Sequence, residues 1–119
     1  MKVVAGRKRA TRTPLDARRL LTPRDYAVEP HLFGERYDVT FRTPPDGDAV
    51  SRRIAEFFHR LVVASRHHHL PSGAEIGRRF GFSRQTWSNV TRGHRWPSHT
   101  VLIALLVVLE DAISQPDNN

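Results

Sequence analysis

Cysteine is absent from the 119-residue sequence, which excludes disulfide bonds and thiolate metal sites and permits a reducing compartment. Long hydrophobic runs are absent as well. The longest covers residues 101–109, and it is too short for a membrane-spanning helix, which needs about 20 apolar residues. The first 25 residues contain no apolar segment typical of a signal peptide. These features favour a cytoplasmic protein with no membrane partner.

Lysine is scarce, because 17 of the 19 basic residues are arginine. Against 12 acidic residues, this gives a net charge of +7 and a pI near 11.2. A basic balance of this size attracts polyanions such as nucleic acid. The planar guanidinium group favours directed contacts with phosphate or guanine, although the coding bias of a GC-rich genome would also enrich arginine.

Patterns typical of catalysis and metal binding are missing. No recurrent catalytic spacing joins the acids and histidines, no glycine-rich loop has phosphate-binding spacing, and no serine lies in a nucleophile motif. We therefore expect a protein that is not an enzyme and has no cofactor. Residues 67–69 are three consecutive histidines. Successive side chains at a helix end point in different directions, so we predict solvated histidines and no metal site.

The distribution of charge and apolar residues divides the chain into three parts. Residues 1–47 are predicted to form a basic arm followed by an irregular segment with aromatic residues. Within them, residues 14–21 have the pattern of one or two helical turns, and residues 37–41 alternate like a short strand. Residues 48–114 are predicted to form a small all-α domain of about four helices, and residues 115–119 a disordered tail.

The first and last helices of this domain have clear signals. Asp48 is a suitable N-cap for a helix over residues 49–67, which is expected to bury both Phe57 and Phe58. Ser98 is a suitable cap for a helix over residues 98–113 that is apolar almost all round. Such a helix has to be enclosed by its own fold or by another chain.

Between these helices, residues 73–92 read GAEIGRRFGFSRQTWSNVTR, which has the spacing of a helix-turn-helix. Ile76 and Phe80 share one face of a first short helix, and Trp87 and Val90 share one face of a second. The apolar positions predict that the two helices pack on each other and leave the polar side of the second in solvent.

Two glycines fit the joint between the helices. Gly77 lets them approach closely, and Gly81 takes the positive φ that a sharp turn demands. Ser72 is placed to cap the first helix. Trp96, in the loop after the second helix, has two open placements, either tucked inward or laid along a bound DNA backbone.

The motif continues into Arg92-Gly93 and Pro97-Ser98, followed by an apolar helix. On these residues, positions 72–109 resemble the helix-turn-helix of the Cro and lambda-repressor superfamily, whose members often carry arginine-glycine and proline-serine at these places. The resemblance covers about a third of the chain. It implies a lambda-repressor-like domain that binds double-stranded DNA.

The helix-turn-helix geometry suggests a role for each exposed polar side chain. The second helix is expected to enter the major groove with its N-terminal end leading. The residues predicted to contact bases are Arg84, Gln85, Ser88 and Asn89. Those predicted to contact phosphates are Ser72, Arg78, Arg79, Thr91, Arg92, Arg95 and Ser98. Those predicted to follow an adjacent minor groove or the backbone from the arm are Arg7, Lys8, Arg9 and Arg12.

Two questions stay open at this level. Members of the resembled family usually carry a further helix that makes the dimer contact, so here either helix 98–113 pairs with a second copy, residues 1–47 cover it, or the protein binds DNA as a monomer or beside a partner. The favoured function is a prokaryotic or phage transcriptional regulator, expected to be a repressor associated with the nucleoid. The alternative is an antitoxin or architectural DNA-binding protein that acts with a protein partner.

Overall fold

The computed structural model describes residues 13–114. Within this range the chain forms five α-helices and no β-strand, which confirms the predicted all-α class. The helices in chain order are α1 (Pro14–Leu20), α2 (Ala49–Arg66), α3 (Gly73–Phe80), α4 (Arg84–Thr91) and α5 (His99–Ser114). Two short 3-10 helices lie between α1 and α2, at Pro23–Tyr26 and Pro30–Leu32.

Side-chain caps explain where the four larger helices begin. Asp48 begins α2, because its carboxylate accepts a hydrogen bond from the backbone N–H of Ser51 at 2.7 Å. The next three helices begin in the same way at a serine hydroxyl, at Ser72, Ser83 and Ser98. Each cap satisfies a backbone N–H that the first helical turn leaves unpaired. The predicted caps at positions 48, 72 and 98 are therefore confirmed.

Helix α2 buries one of its two adjacent phenylalanines. Phe58 is 2% exposed and lies in an apolar cluster with Val62 and Leu105. Phe57 is 59% exposed, so the prediction that both rings would be buried is wrong. Adjacent residues of an α-helix point about 100° apart, and the face that carries Phe58 is the one that meets the core.

The segment between α1 and α2 supplies large side chains to the core. Tyr26 and Phe33 are at most 2% exposed. The ring centroid of Phe33 lies 6.3 Å from that of Phe58, and Phe33 belongs to the same apolar cluster. The segment thus packs onto α2, and its irregular backbone is held in place by these buried rings.

The short strand predicted over residues 37–41 does not form. The part of the chain that the structure describes contains one isolated antiparallel bridge, between Ala27 and Phe41. The flanking hydrogen bond from Val28 N–H to Thr40 O is 2.8 Å long. The two 3-10 helices flank Ala27 along the chain and leave too short a stretch between them for a strand.

His59 anchors this segment from inside the fold. The residue is 1% exposed, and its Nδ1 accepts a hydrogen bond from the backbone N–H of Gly34 at 2.8 Å. Its ring packs against Phe33 and Phe41, with centroids 5.4 and 5.1 Å away. Burial lowers the pKa of His59 below its ordinary value. The hydrogen bond that Nδ1 accepts and the lowered pKa both favour the neutral imidazole.

Helix α5 is enclosed on one side by the rest of the domain. Its buried residues are Val101, Ala104, Leu105, Val108 and Leu109. Ile103, Leu106 and Ile113 are 52%, 39% and 63% exposed, so the apolar surface of the helix is covered in part. No helix within residues 13–114 combines the length and apolarity that crossing a membrane requires.

We expect the stability of the fold to depend on the protonation of His59. Because its pKa is lowered in the folded state, the unfolded state binds more protons, and the free energy of unfolding falls as the pH drops through the ordinary histidine value of 6.5. His59→Asn keeps an acceptor near the Nδ1 position and does not titrate. Urea unfolding between pH 7.5 and 5 should show a steeper loss for the wild type than for this variant.

The variant itself should be about 2 kcal/mol less stable at pH 7.5, since it removes part of a buried ring. His69→Asn, at an exposed position, is the matched control and should keep the pH dependence of the wild type. Equal pH dependence in wild type and His59→Asn would show that this histidine does not control stability.

Candidate nucleic-acid interface

Helices α3 and α4 meet at a tight turn built on two glycines, as the sequence predicts. Gly81 ends α3 with a φ of 92°. At Gly77, an added Cβ would lie 2.2 Å from the carbonyl oxygen of Phe82. The backbone N–H of Phe82 donates to Gly77 O at 2.9 Å. The turn therefore lies directly on α3, and this contact fixes the point from which α4 begins.

The apolar side of α4 faces α3 and the core. Trp87 is half-buried and stacks on Phe82, with centroids 6.1 Å apart and ring planes 10° from parallel. An added Cβ at Gly73 would lie 2.6 Å from Trp87 Cδ1, so the first turn of α3 is also tight against this ring. Val90, one turn further along α4, is 2% exposed. The opposite side of α4 is consequently left to solvent.

That solvent side brings together the four residues predicted to contact bases. Arg84 and Gln85 are exposed, and Ser88 and Asn89 are half-buried. Gln85 Nε2 donates a hydrogen bond to Asn89 Oδ1 at 3.0 Å. This bond orients the glutamine and leaves its Oε1 and second N–H available. An acceptor beside a donor is the pair that the major-groove edge of adenine requires.

Within residues 13–114, the arginines of α3, α4 and the loop after α4 form no ion pair with a carboxylate. Residues 76–109 contain neither aspartate nor glutamate. Among the described residues, the arginines that form ion pairs with carboxylates are Arg36, Arg52, Arg60 and Arg66, none of which belongs to α3, α4 or the loop after α4. The exposed arginines without an ion pair in this region include Arg78, Arg84, Arg92 and Arg95. Uncompensated cations create a positive surface potential.

The hydroxyl groups predicted to contact phosphates are already engaged within the chain. Ser72 Oγ and Ser98 Oγ accept the cap hydrogen bonds of α3 and α5 at 3.1 and 3.3 Å. Thr91 Oγ1 donates to the backbone oxygen of Trp87 at 3.0 Å, inside its own helix. These side chains order the helix ends, and each hydroxyl oxygen retains part of its hydrogen-bonding capacity.

Arg78 and Arg79 point to different sides of α3. Arg79 lies 5.3 Å from the ring centre of Phe80 and lines a cavity of about 240 Å³ with Val108 and Asp111 of α5. Arg78 is exposed and follows Gly77, the residue that contacts the turn before α4. Arg79 therefore lies beside α5, whereas Arg78 leaves α3 in a direction about 100° away from it.

The remaining predictions concern the arm and the histidines. Arg7, Lys8, Arg9 and Arg12 lie outside the described residues. Within residues 13–114, no group of three or more potential ligands has the geometry to hold a metal ion.

His67 stacks on Tyr37, with centroids 5.7 Å apart and planes 9° from parallel. One of the three consecutive histidines therefore has a packing role at the end of α2.

A segment from before the domain docks beside α4, which the sequence did not predict. The backbone N–H of Arg24 donates to Gly93 O at 3.1 Å, in the loop after α4. Trp96 Nε1 donates to Leu21 O at 2.7 Å, and its ring meets Tyr26 edge-on at 6.0 Å. Trp96 is thus tucked inward, which decides between its two open placements. Contacts across about 70 residues have no local sequence signal.

The two glycines of the turn should respond differently to alanine. In Gly77→Ala the new Cβ meets a backbone carbonyl, so the helices must separate, and we expect a loss of about 3 kcal/mol in the free energy of unfolding. In Gly81→Ala nothing lies within 4 Å of the new Cβ, so only the positive φ is penalised, by about 1 kcal/mol. Chemical denaturation measures both losses.

Near-ultraviolet circular dichroism, to which both Trp87 and Trp96 contribute, distinguishes the two mechanisms. The stacked Trp87 signal should change in Gly77→Ala and persist in Gly81→Ala, since only the first substitution alters the angle between α3 and α4. Equal losses of stability with equal spectra would contradict the close contact at Gly77.

The chain matches no protein-family model, no curated protein and no solved structure. The ligand of the exposed side of α4 is therefore inferred from the side chains that this side presents. That side combines exposed arginines, an oriented glutamine and asparagine pair, and no carboxylate. Such a surface is suited to a ligand that presents both negative charge and hydrogen-bonding edges.

Proposed function

We propose that this chain is a sequence-specific regulator of transcription that binds double-stranded DNA and has no enzymatic activity. The observation that carries the proposal is the exposed side of α4, where Arg84, Gln85, Ser88 and Asn89 lie together on a helix that its apolar side fixes to α3. A rigid helix that presents arginine and amide side chains fits the major groove of B-form DNA. The expected biological role is that of a prokaryotic or phage repressor that occludes a promoter.

The α3–α4 unit and the loop after it also support membership of the Cro and lambda-repressor superfamily as part of this proposal. Gly77 and Gly81 make the close contact and the left-handed turn that a helix-turn-helix needs. Gly93, with a φ of 80°, and the Ser98 cap follow at the places of the resembled motif. In this arrangement α3 lies across the DNA backbone while α4 enters the groove.

Base recognition in this proposal depends on two bidentate contacts. Arg84, in the first turn of α4, donates two hydrogen bonds to O6 and N7 of a guanine. Gln85, held by Asn89, accepts from N6 and donates to N7 of an adenine. Each such pair contributes about 1 to 3 kcal/mol of discrimination against other bases. A preferred site should therefore contain both a guanine and an adenine.

Phosphate contacts fix the position of the protein on the duplex. Arg78, Arg92 and Arg95 are exposed and lack ion pairs within residues 13–114, so no intramolecular bond has to break when they bind a phosphate. Residues 7–12 add basic side chains for an adjacent minor groove in this proposal. The affinity from these contacts should fall steeply with salt.

A second candidate function is a DNA-binding protein that acts with a protein partner, such as an antitoxin or an architectural protein. The observation that favours it is the exposed apolar surface of two helices. Val50, Ile54 and Phe57 are 52%, 40% and 59% exposed at helical spacing on α2, and Ile103 and Leu106 are exposed on α5. Exposed apolar patches often mark protein interfaces. A second copy that contacts α5 would make the protein a homodimer with a palindromic site.

Selection from a randomised duplex pool, followed by binding measurements on single-base variants of the selected site, tests the proposed function. At about 150 mM salt, non-specific phosphate attraction is partly suppressed. We expect the wild type to select a defined motif. Arg84→Ala and Gln85→Ala should each lose about 1 to 3 kcal/mol of discrimination at one position, because each removes one bidentate pair.

Arg78→Ala is the matched control, since it removes a charge without a predicted base contact. It should weaken binding to all sequences alike and leave the motif unchanged. Uniform losses in all three variants would contradict the placement of α4 in the groove. A symmetric motif would indicate a dimer, and binding without any motif would favour the second candidate function.

A further inference from the structure

A cavity of about 230 Å³ lies beside the C-terminal end of α4. It is lined by Arg24, His31, Phe33, Glu35, Arg92 and His94. Two arginines and two histidines in one cavity make a concentration of basic groups that the sequence did not predict, since they come from three separate segments of the chain. These basic groups favour the binding of a negatively charged ligand.

The position of Arg24 in this cavity is fixed by the backbone. Its N–H donates to Gly93 O at 3.1 Å. Gly93 has a φ of 80°, and an added Cβ there would lie 2.7 Å from the Phe33 ring and 3.0 Å from Arg24 Cβ. The loop after α4 and the segment that carries Arg24 are thus in close contact, so the guanidinium group is held at this end of α4.

The cations of the cavity are poorly compensated. Arg24 Nη1 lies 2.9 and 3.2 Å from the two ring nitrogens of His94, a neighbour that carries no negative charge. Arg92 forms no ion pair among the described residues. Glu35 is the acid in the lining, and its carboxylate lies 3.9 Å from Arg66 Nη2. Two guanidinium groups therefore share a cavity whose single carboxylate has another cationic neighbour.

The cavity continues the exposed side of α4. Arg92 follows Gln85 by seven residues, which is about two helical turns, so both side chains leave the helix in nearly the same direction. A ligand that runs along the exposed side of α4 from Gln85 would reach Arg92 and then Arg24. A DNA strand is such a ligand, because its phosphates flank the bases that the groove presents.

We infer that this cavity binds a phosphate group of the DNA backbone, and that Arg24 is a phosphate-contacting residue supplied by the segment before the domain. The inference rests on the proposed function. A guanidinium group donates two parallel hydrogen bonds to phosphate oxygens, and Arg24 and Arg92 together present two such groups. The docked segment extends the DNA interface beyond the end of α4.

Two substitutions with opposite expected effects test the inference. Arg24→Gln keeps the side-chain stem and the backbone bond to Gly93, and removes the charge. We expect binding about 5- to 20-fold weaker at 150 mM salt for all sequences alike, with a salt dependence less steep by about 0.9 in log K against log salt. Glu35→Gln removes the carboxylate from the cavity and should tighten binding about 2- to 5-fold.

Matched controls remove the same charges elsewhere. Arg53→Gln, at an exposed position of α2, and Glu110→Gln, at an exposed position of α5, should change affinity less than the corresponding cavity variants. Thermal unfolding establishes that each variant is folded. If Arg24→Gln and Arg53→Gln give the same affinity and salt dependence, the assignment of Arg24 is wrong, and the same holds for Glu35→Gln against Glu110→Gln.

Methylphosphonate scanning of the bound duplex identifies the phosphate. Neutralising one phosphate at a time should weaken the wild type at a position that no longer affects Arg24→Gln. If inorganic phosphate at millimolar concentration shifts the NMR signals of Arg24 and His94 while no backbone position depends on Arg24, the cavity binds free anions and the inference is overturned. If the wild type binds no duplex, the proposed function fails first, and the inference fails with it.

Discussion

The close approach of Gly77 to the carbonyl of Phe82 is the constraint on which the rest of the proposed interface depends. At 2.2 Å from that oxygen there is no space for a Cβ, so the turn after α3 can lie against the helix only when residue 77 is glycine. This contact fixes the position at which α4 begins. The stacking of Trp87 on Phe82 fixes the rotation of α4 about its own axis. The exposed side of α4 is a consequence of these two contacts.

Acidic residues are unevenly distributed along the chain, and they are missing from the stretch that contains most of α3, all of α4 and most of α5. The arginines that pair with carboxylates lie on α2 and on the segment between α1 and α2, as in the chain of Arg52, Glu56 and Arg60. From residue 76 to residue 109 there is no acid at all. Surface ion pairs contribute little to the free energy of unfolding. The main effect of these pairs is therefore to cancel positive charge at the places where they form. Among residues 13–114, the arginines of α3, α4 and the loop after α4 have no ion pair with a carboxylate, so their positive charge is not cancelled.

Local signals in the sequence predicted most of the helices. Serine and aspartate caps, the spacing of Ile76 and Phe80, and the glycine at position 81 act within a few residues, so their effect can be read without the fold. The same is true of the four side chains on the solvent side of α4. Phe58 is buried in a cluster that includes Phe33 and Leu105, and these contacts join distant parts of the chain.

The sequence does not predict the contacts that residues 21–34 make with the rest of the domain. The hydrogen bond from Gly34 to His59, the bond from Arg24 to Gly93 and the bond from Trp96 to Leu21 each join distant parts of the chain. Nothing in the pattern of residues 37–41 indicated that a strand would find only one bridging partner. Alternation predicts an extended backbone, whereas a strand also needs a neighbour.

The measurement that tests the central claim most directly is an NMR titration of the isotope-labelled protein with a short DNA duplex. If the exposed side of α4 is the DNA interface, the largest changes in backbone amide signals should fall on residues 83–93, with smaller changes at the N-terminal end of α3. The exposed apolar residues of α2 and α5 should stay unchanged at the same protein concentration. Changes confined to α2 and α5, or no change at saturating duplex, would contradict the account.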